Sequence, residues 1–318
     1  MNITQAEIAK DDLKSPPRAR SPRLAQDYMT ITLFLAPAFI LFLIFLVYPI
    51  IRSVYFSMFD WNGLGPAVNF VGLDNFKQIL TDTIFMKAVW DCILIVVFSA
   101  CIQLPLALGL AIMVGRDLPG RVLFRTAFFM PYVLSEVITG IIWVSLLDPD
   151  PSRGFINALL TLIPGVQPQL FLSDVNTVMV WIFVVLTWKY FGLHMLLYMA
   201  GLQNIPREVE EAALIDGANT WQSIRYITVP LLSGTIRTTV YLSVLGSLTQ
   251  FNLVWIMTKG GPVNASEVMA TYMYRYGFVR FQLGYGSAVA LVMLLVCLAF
   301  SVAFQRLSRQ PDYLGGMS

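Results

Sequence analysis

The stretch "MTITLFLAPAFILFLIFLVYPII", residues 29–51, contains no charged side chain. A helix of about 20 apolar residues crosses the roughly 30 Å of hydrocarbon in a bilayer, so this stretch predicts a transmembrane helix. It is longer than the apolar core of a cleaved signal peptide, and "IIRSVYF" at its end offers no small-residue cleavage site. We therefore expect a helix that is retained in the protein.

Further runs of similar length and low charge follow it, at 88–114, 126–147, 175–201, 238–258 and 283–304. Across the whole chain 57% of residues are hydrophobic and 13% are charged, which is too apolar for a soluble domain of 318 residues. A membrane β-barrel would instead show alternating segments of about ten residues. The sequence therefore predicts an all-α integral membrane protein whose six transmembrane helices occupy 29–307, between tails at 1–28 and 308–318.

The distribution of Lys and Arg predicts the orientation. If the amino terminus is inside, the inner segments hold 13 of the 21 Lys and Arg residues, and outer segments of nearly equal total length hold 7. The cytoplasmic side normally carries the excess, so we expect both termini to be cytoplasmic. The charged tail before Met29 would serve mainly to orient the protein, and contact with anionic lipid headgroups is the alternative. A net charge of +2 gives no reason to expect a nucleic acid partner.

A polar stretch, "EVEEAALIDGANTWQSIRYITVPLL" at 208–232, separates the fourth apolar run from the fifth. Pro206 suits a first helical turn, and the acidic residues after it suit the amino end of a helix. These features predict a helix over 206–216. Gly217 can adopt the left-handed conformation that ends such a helix.

A second helix is predicted after this turn. Asn219 and Gln222 have the spacing of a capping box, and Pro230 should end the helix. Small and apolar side chains would be exposed beside acidic ones, which is typical of a docking surface. An amphipathic surface helix without a partner remains the alternative on spacing alone.

The order of residues in this stretch resembles a known signature. Glu211, Ala212 and Ala213 are followed at fixed spacing by Gly217, Ile227 and the pair Val229-Pro230. This is similar to the EAA motif in the membrane subunits of bacterial binding-protein-dependent ABC importers, except that Val229 stands where Leu is usual. The neighbouring Asp216-Gly217-Ala218 also fits the common form of the motif.

The resemblance extends over residues 30–305. The segments "RTAFFMPYVLSEVITGIIWVSLLDPD", "GFINALL", "FVGLDNF" and "TQFNLVWIMTKGGPVNASEVMATYMY" look like the carbohydrate-uptake permeases of this superfamily. Within that group the chain resembles the first of two permease types. The resemblance implies the ABC importer permease fold in a bacterial inner (plasma) membrane. It also implies a second homologous permease subunit, two ATPase subunits, an extracytoplasmic solute-binding protein and a sugar substrate.

The resemblance also implies roles in a coupling loop at 203–233, which would lie in a cleft of the ATPase subunit. Glu211 would be the acidic contact, Ala212 and Ala213 the close-packing face, and Gly217 the turn between the two coupling helices. The predicted ATPase-coupling residues, with the flanking motif positions included, are Glu211, Ala212, Ala213, Asp216, Gly217 and Pro230.

The chain lacks the motifs of an enzyme. It contains no G-x-x-x-x-G-K-[ST] phosphate loop, so ATP hydrolysis is expected on a separate subunit. Its single histidine, His194, lies in the fourth run without a Ser or Cys partner at a suitable spacing. The three cysteines lie in apolar runs. We therefore predict no catalytic residues, no metal and no cofactor.

A charged side chain inside an apolar run costs free energy on membrane insertion. Asp91, Glu136 and Lys189 should therefore each have a compensating partner, contact with water or a function. Asp91 is near the outer end of its run, where we expect it to reach water. Glu136 shares a helical face with Trp143, at steps of three and four residues. An ion pair between Glu136 and Lys189 and a direct substrate role for these residues both remain open.

The fifth run has a polar, small-residue face that includes Gln250, with Asn252 and Trp255 continuing it outward. Sugars are bound by amide and hydroxyl groups together with aromatic rings, and this face offers those groups. Small residues are equally common in helix packing. The candidate residues of the substrate path are Glu136, Trp143, Lys189, Gln250, Asn252 and Trp255.

Two other functions and one other substrate class remain open. An ion-coupled secondary transporter could use Glu136, Lys189 and His194 as a proton relay, but it would leave the EAA motif unexplained. An integral membrane enzyme would need a catalytic set that we do not find. The expected cargo is a neutral oligosaccharide, and glycerol-phosphate or another anionic sugar derivative is the alternative.

Overall fold

The computed structural model describes residues 23–115 and 120–308, with side chains described from Tyr28 onward. The predicted tails at 1–28 and 308–318 therefore lie mostly outside the described residues. The chain divides into one unit up to Arg52 and a second from Ser53. Within the described ranges the elements are helical, apart from an isolated β-bridge between Phe59 and Phe70.

The first apolar run is helical, as predicted. It comprises an α-helix at Arg23–Phe42, a π-helical turn at Leu43–Val47 and a further α-helix at Tyr48–Phe56. The stretch Tyr28–Phe56 has 29 residues, which is enough to cross a bilayer with some tilt.

Three more helices are long and apolar enough to span a membrane: Thr83–Gly115, Val178–Gln203 and Leu283–Leu307. We call them the second, fourth and sixth spans. The second begins five residues before the predicted run because the Asp82 carboxylate caps it, accepting hydrogen bonds from the backbone N–H groups of Ile84 and Phe85 at 2.7 and 3.0 Å. It contains a π-helical turn at Ser99–Gln103.

The third and fifth spans are broken rather than continuous, which corrects their prediction as single helices. The third consists of Arg121–Val133 and Glu136–Leu146, bent by 96°, and the fifth of Ser233–Leu248 and Asn252–Thr258, bent by 42°. Within residues 23–115 and 120–308, counting each bent pair as one span gives six. Pro131, in the last turn of Arg121–Val133, lacks an N–H for the helical ladder and favours the break that follows it.

Shorter helices connect the spans. An amphipathic helix at Asp74–Thr81 lies between the first and second spans, and a short helix at Phe155–Leu160 lies between the third and fourth spans. The segment between the fifth and sixth spans forms a helix at Met269–Tyr274, which continues as a π-helical turn at Arg275–Val279. These connections carry the residues that tie the span ends together.

Asp91 corrects one expectation about charge in the membrane. Its side chain is buried, not exposed to water, and forms a 2.5 Å ion pair with Lys87 one turn earlier. Lys87 also donates to the Ala265 carbonyl oxygen at 2.9 Å, in the segment between the fifth and sixth spans. The pair therefore fixes that segment to the second span.

Candidate functional site: a cavity among four spans and a helix-turn-helix segment

The segment at 208–232 has the predicted helix-turn-helix form. Its first helix, Arg207–Ile215, ends in a Schellman motif. The Ala218 N–H donates to the Ala213 carbonyl at 2.9 Å, and the Gly217 N–H donates to the Leu214 carbonyl at 3.1 Å. Gly217 has φ +85°, the left-handed conformation that glycine adopts without strain.

The second helix starts with the predicted capping box. Asn219 and Gln222 exchange backbone-to-side-chain hydrogen bonds of 2.8 and 2.9 Å. The prediction that Pro230 ends this helix is wrong, since Pro230 lies inside Val229–Leu231. A π-helical turn at Ile224–Thr228 precedes it, and this wider turn relieves the clash that proline makes with the preceding helical turn.

The two arms of the segment are packed on each other. The Thr228 hydroxyl donates to the Glu210 carboxylate at 3.4 Å, and Ala213 is buried within the chain. Glu211 and Ala212, by contrast, are exposed. Asp216 and Gly217 are also exposed. Large apolar side chains are exposed as well: Leu214, Ile215, Trp221 and Tyr226.

A cavity of about 590 Å³ lies among the second, third, fourth and fifth spans. Its polar lining combines amides, hydroxyls, one carboxylate and one imidazole, which include Gln103, Glu136, His194, Ser243, Gln250 and Asn252. Aromatic rings complete the wall: Tyr132, Phe183, Tyr190 and Phe251. Amides and hydroxyls beside aromatic faces can bind a polyhydroxylated ligand.

Several polar groups of this wall have partners. The Tyr190 hydroxyl donates to the Glu136 carboxylate. Ser99 in the second span donates to the Gln103 side-chain oxygen at 2.5 Å, and its hydroxyl lies 2.6 Å from that of Ser243 in the fifth span. These contacts hold the walls of the cavity in register.

Other polar atoms of the wall have no partner within the described part of the chain. They are Gln103 Nε2, His194 Nδ1 and Gln250 Nε2, all on buried side chains. A buried polar atom without a hydrogen bond is costly unless water or a ligand reaches it. Three residues of the cavity lining, from three spans, therefore carry an unpaired polar atom that is buried beside the cavity.

The predicted substrate-path residues divide into two groups. Glu136, Gln250 and Asn252 line the cavity, whereas Trp143 and Trp255 do not. Trp143 packs edge-on against the Trp188 ring at 5.6 Å, and Trp255 stacks against the Phe251 ring at 5.9 Å. Sequence reasoning missed Gln103 and Tyr190; Gln103 was visible as an amide within an apolar run.

Lys189 does not line this cavity and forms no ion pair with Glu136 among the described residues. Its buried ammonium donates instead to backbone carbonyl oxygens at the break of the third span, at 2.6 Å to Leu134 and 3.4 Å to Pro131 and Tyr132. The two charges therefore have different partners. In residues 23–115 and 120–308, no three His, Cys, Asp or Glu side chains are placed to hold a metal ion.

Comparison with known proteins identifies the family. The family described as "Binding-protein-dependent transport system inner membrane component" matches residues 103–312. A probable ABC transporter permease protein of Pyrococcus horikoshii is 35% identical over 278 residues, which are 87% of this chain and 94% of that protein. The diacetylchitobiose uptake system permease protein of Streptomyces coelicolor is 31% identical over 297 residues, 89% of this chain and 84% of that relative.

A solved structure has a fold similar to that of this chain. A chain of the bacterial alginate ABC transporter, crystallised in complex with an alginate pentasaccharide-bound periplasmic protein, superposes with a TM-score of 0.79 at 24% identity. The match covers 90% of this chain and 96% of that one. The broken third and fifth spans therefore belong to an ABC importer permease fold. The chain is a member of the family of inner-membrane components of binding-protein-dependent transport systems, a multi-pass ABC transporter permease.

Proposed function

We propose that this permease forms half of the translocation pore of an ATP-driven sugar importer. A second, homologous permease subunit would supply the other half, with two ATPase subunits on the cytoplasmic side and a solute-binding protein outside. The polar cavity among four spans is the observation that carries the proposal. A relative that is 31% identical is named for the uptake of a saccharide, which supports the same substrate class.

The loop at 203–233 would transmit work from the ATPase. Its capped helices form a stiff unit, and the exposed Leu214, Ile215 and Trp221 offer apolar surface to a partner. The excess of Lys and Arg on the same side would place this loop and both termini in the cytoplasm. ATP-driven closure of the ATPase pair would then move the spans between outward-facing and inward-facing states.

The lining of the cavity favours a neutral saccharide. Glu136 contributes a carboxylate, and neither Lys nor Arg is among the described residues that line the cavity. A sugar phosphate would meet a like charge without a compensating cation, which is unfavourable in a site of low dielectric constant. A neutral oligosaccharide can instead pair its hydroxyl groups with the amides and hydroxyls of the lining and its apolar faces with the aromatic rings.

Reconstituted vesicles provide the test. The two permeases, the ATPase and the binding protein should take up a radiolabelled neutral disaccharide only when ATP and the binding protein are both present. Uptake should continue when an uncoupler dissipates the proton gradient. Uptake that needs neither ATP nor the binding protein, or that stops with the uncoupler, would contradict the proposal and favour an ion-coupled carrier.

A further inference from the structure

The break in the third span exposes backbone carbonyls at membrane depth. The helix Arg121–Val133 ends without a glycine cap, and Leu134 and Ser135 are extended, with ψ 142° at both. The last turn of a helix leaves its carbonyl oxygens without helical donors. Hydrocarbon offers no substitute donors, so other protein groups must supply them.

Lys189 supplies these donors. It lies in the fourth span with only 2% of its surface exposed, and its Nζ atom contacts the carbonyl oxygens of Pro131, Tyr132 and Leu134. An ammonium group has three N–H donors and no acceptor, which matches three carbonyls. All three contacts are charge-assisted hydrogen bonds. The one to Leu134 is short, and those to Pro131 and Tyr132 are longer.

The fourth span also packs closely against the helix Arg121–Val133. Gly192, three residues after Lys189, is buried, and a Cβ atom there would overlap the Phe128 carbonyl group of Arg121–Val133. One face of the fourth span thus combines a close backbone approach with a cation aimed at the exposed carbonyls. Two independent features of that face position the same helix end.

The residues on either side of the break line the cavity. Tyr132 precedes it and Glu136 follows it, and both form part of the cavity wall together with Tyr190, the neighbour of Lys189. We propose that Lys189 is a positioning residue, which caps the broken third span and thereby places Tyr132 and Glu136 on the substrate path without touching the substrate. This role builds on the proposed sugar-import function.

Thiol labelling tests the placement directly. In the assembled complex in membrane vesicles, with the native cysteines replaced, a single cysteine is introduced as Tyr132→Cys and labelled with a water-soluble maleimide. Adding Lys189→Met, which keeps the side-chain length and removes all donors, should change the labelling rate by about fivefold or more. A Leu242→Cys reporter, on the fifth-span wall of the same cavity, should label at the same rate with and without Lys189→Met.

The outcomes separate positioning from substrate contact. Unchanged labelling at position 132, with loss of anionic or neutral saccharide uptake, would overturn the proposal and make Lys189 a substrate contact. Equal changes at 132 and 242 would overturn it in favour of general destabilisation. If Lys189→Met fails to assemble, Lys189→Gln, which retains two donors, is labelled instead and should show a smaller change at 132 only. Labelling does not depend on the transported solute, so absence of sugar uptake in the wild type would refute the proposed function and leave this test standing.

Discussion

The Tyr190 hydroxyl donates a hydrogen bond to the Glu136 carboxylate and so joins the fourth span to the first turn of Glu136–Leu146. Both side chains line the same cavity. Glu136 thus has a neutral hydrogen-bond donor as its partner, while Lys189 is occupied by carbonyl oxygens. This contact makes the position of the carboxylate depend on the fourth span.

Removing either member of this pair should destabilise the assembled permease by about 1–3 kcal/mol, because hydrogen bonds to charged groups contribute that much. Tyr190→Phe and Glu136→Gln should each lower thermal stability, and the double variant should lose less than the sum of the two. Thermal unfolding of the purified complex measures this. The control is Tyr241→Phe, whose hydroxyl contacts Ser301 at 2.9 Å and should add independently to Glu136→Gln. Additive losses for Tyr190 and Glu136 would show that they do not interact.

Gly217 allows a direct test of the turn between the two helices of the proposed coupling loop. A Cβ atom there would meet nothing within 4 Å, so the cost of a substitution comes from its φ of +85° alone. A β-branched residue is strained in this conformation, whereas asparagine tolerates it. We expect Gly217→Val to assemble but to lose most of the ATPase stimulation by loaded binding protein, and Gly217→Asn to retain it. Wild-type ATPase stimulation in Gly217→Val would show that the left-handed turn is not needed for coupling.

The helix-turn-helix segment was predictable because its determinants are local. Gly217, Asn219 and Gln222 act on backbone groups within a few residues, so their spacing is sufficient. The role of Pro230 was not predictable, because spacing alone gives no sign of the π-helical turn at Ile224–Thr228 that precedes it.

The partners of charged residues in the spans could not be read from the sequence. Lys189 contacts carbonyls 55 to 58 residues away, and these are free only because the third span breaks after Val133. The positions of Glu136 and Lys189 within their apolar runs place them at similar depth. They give no information on a break in the third span. Asp91 is the exception, because its partner Lys87 lies one turn away, where a pairing rule at i and i+4 could have found it.

The amides of the fifth span should influence which sugar is transported. Gln250 is buried with an unpaired Nε2 atom, and Asn252 opens the helix after the break; both line the cavity. Loss of one hydrogen bond to a hydroxyl changes relative affinities by about 1 kcal/mol, roughly fivefold. We expect Gln250→Ala and Asn252→Ala to alter the ranking of competing sugars while assembly and basal ATPase activity stay near normal.

Competitive uptake of several neutral saccharides, normalised to assembled complex, measures that ranking. Gln78→Ala is the matched control, because Gln78 is an exposed amide on the helix Asp74–Thr81, outside the cavity. A uniform decrease for every sugar in the Gln250 and Asn252 variants would make these amides helix-packing groups instead.

Outside the spans, the two members of a buried ion pair should differ in how much their replacement destabilises the protein. Glu267 is fully buried between the fifth and sixth spans, and its Oε2 atom lies 2.7 Å from the Arg275 guanidinium without a well-aligned hydrogen bond. Arg275 is partly exposed and also donates to the Asn264 side chain and the Lys259 carbonyl. Glu267→Gln leaves the arginine with these acceptors, whereas Arg275→Met leaves a buried carboxylate unpaired. Arg275→Met should therefore cost more, about 3–5 kcal/mol at neutral pH.

The pH dependence of stability provides the measurement. Burial raises the pKa of the Glu267 carboxyl above its ordinary value of 4.5, and the Arg275 charge opposes that rise. The folded chain then binds the proton more tightly than the unfolded chain, so stability falls as pH rises from 4.5 through the folded pKa. Arg275→Met removes the opposing charge, so the pKa of Glu267 rises further. The pH range over which stability falls then extends to higher pH. Thermal unfolding at a series of pH values should show that acidification restores Arg275→Met more than wild type and gives Glu267→Gln no such gain. A constant difference between Arg275→Met and wild type at every pH would mean that Glu267 is not the group left unpaired.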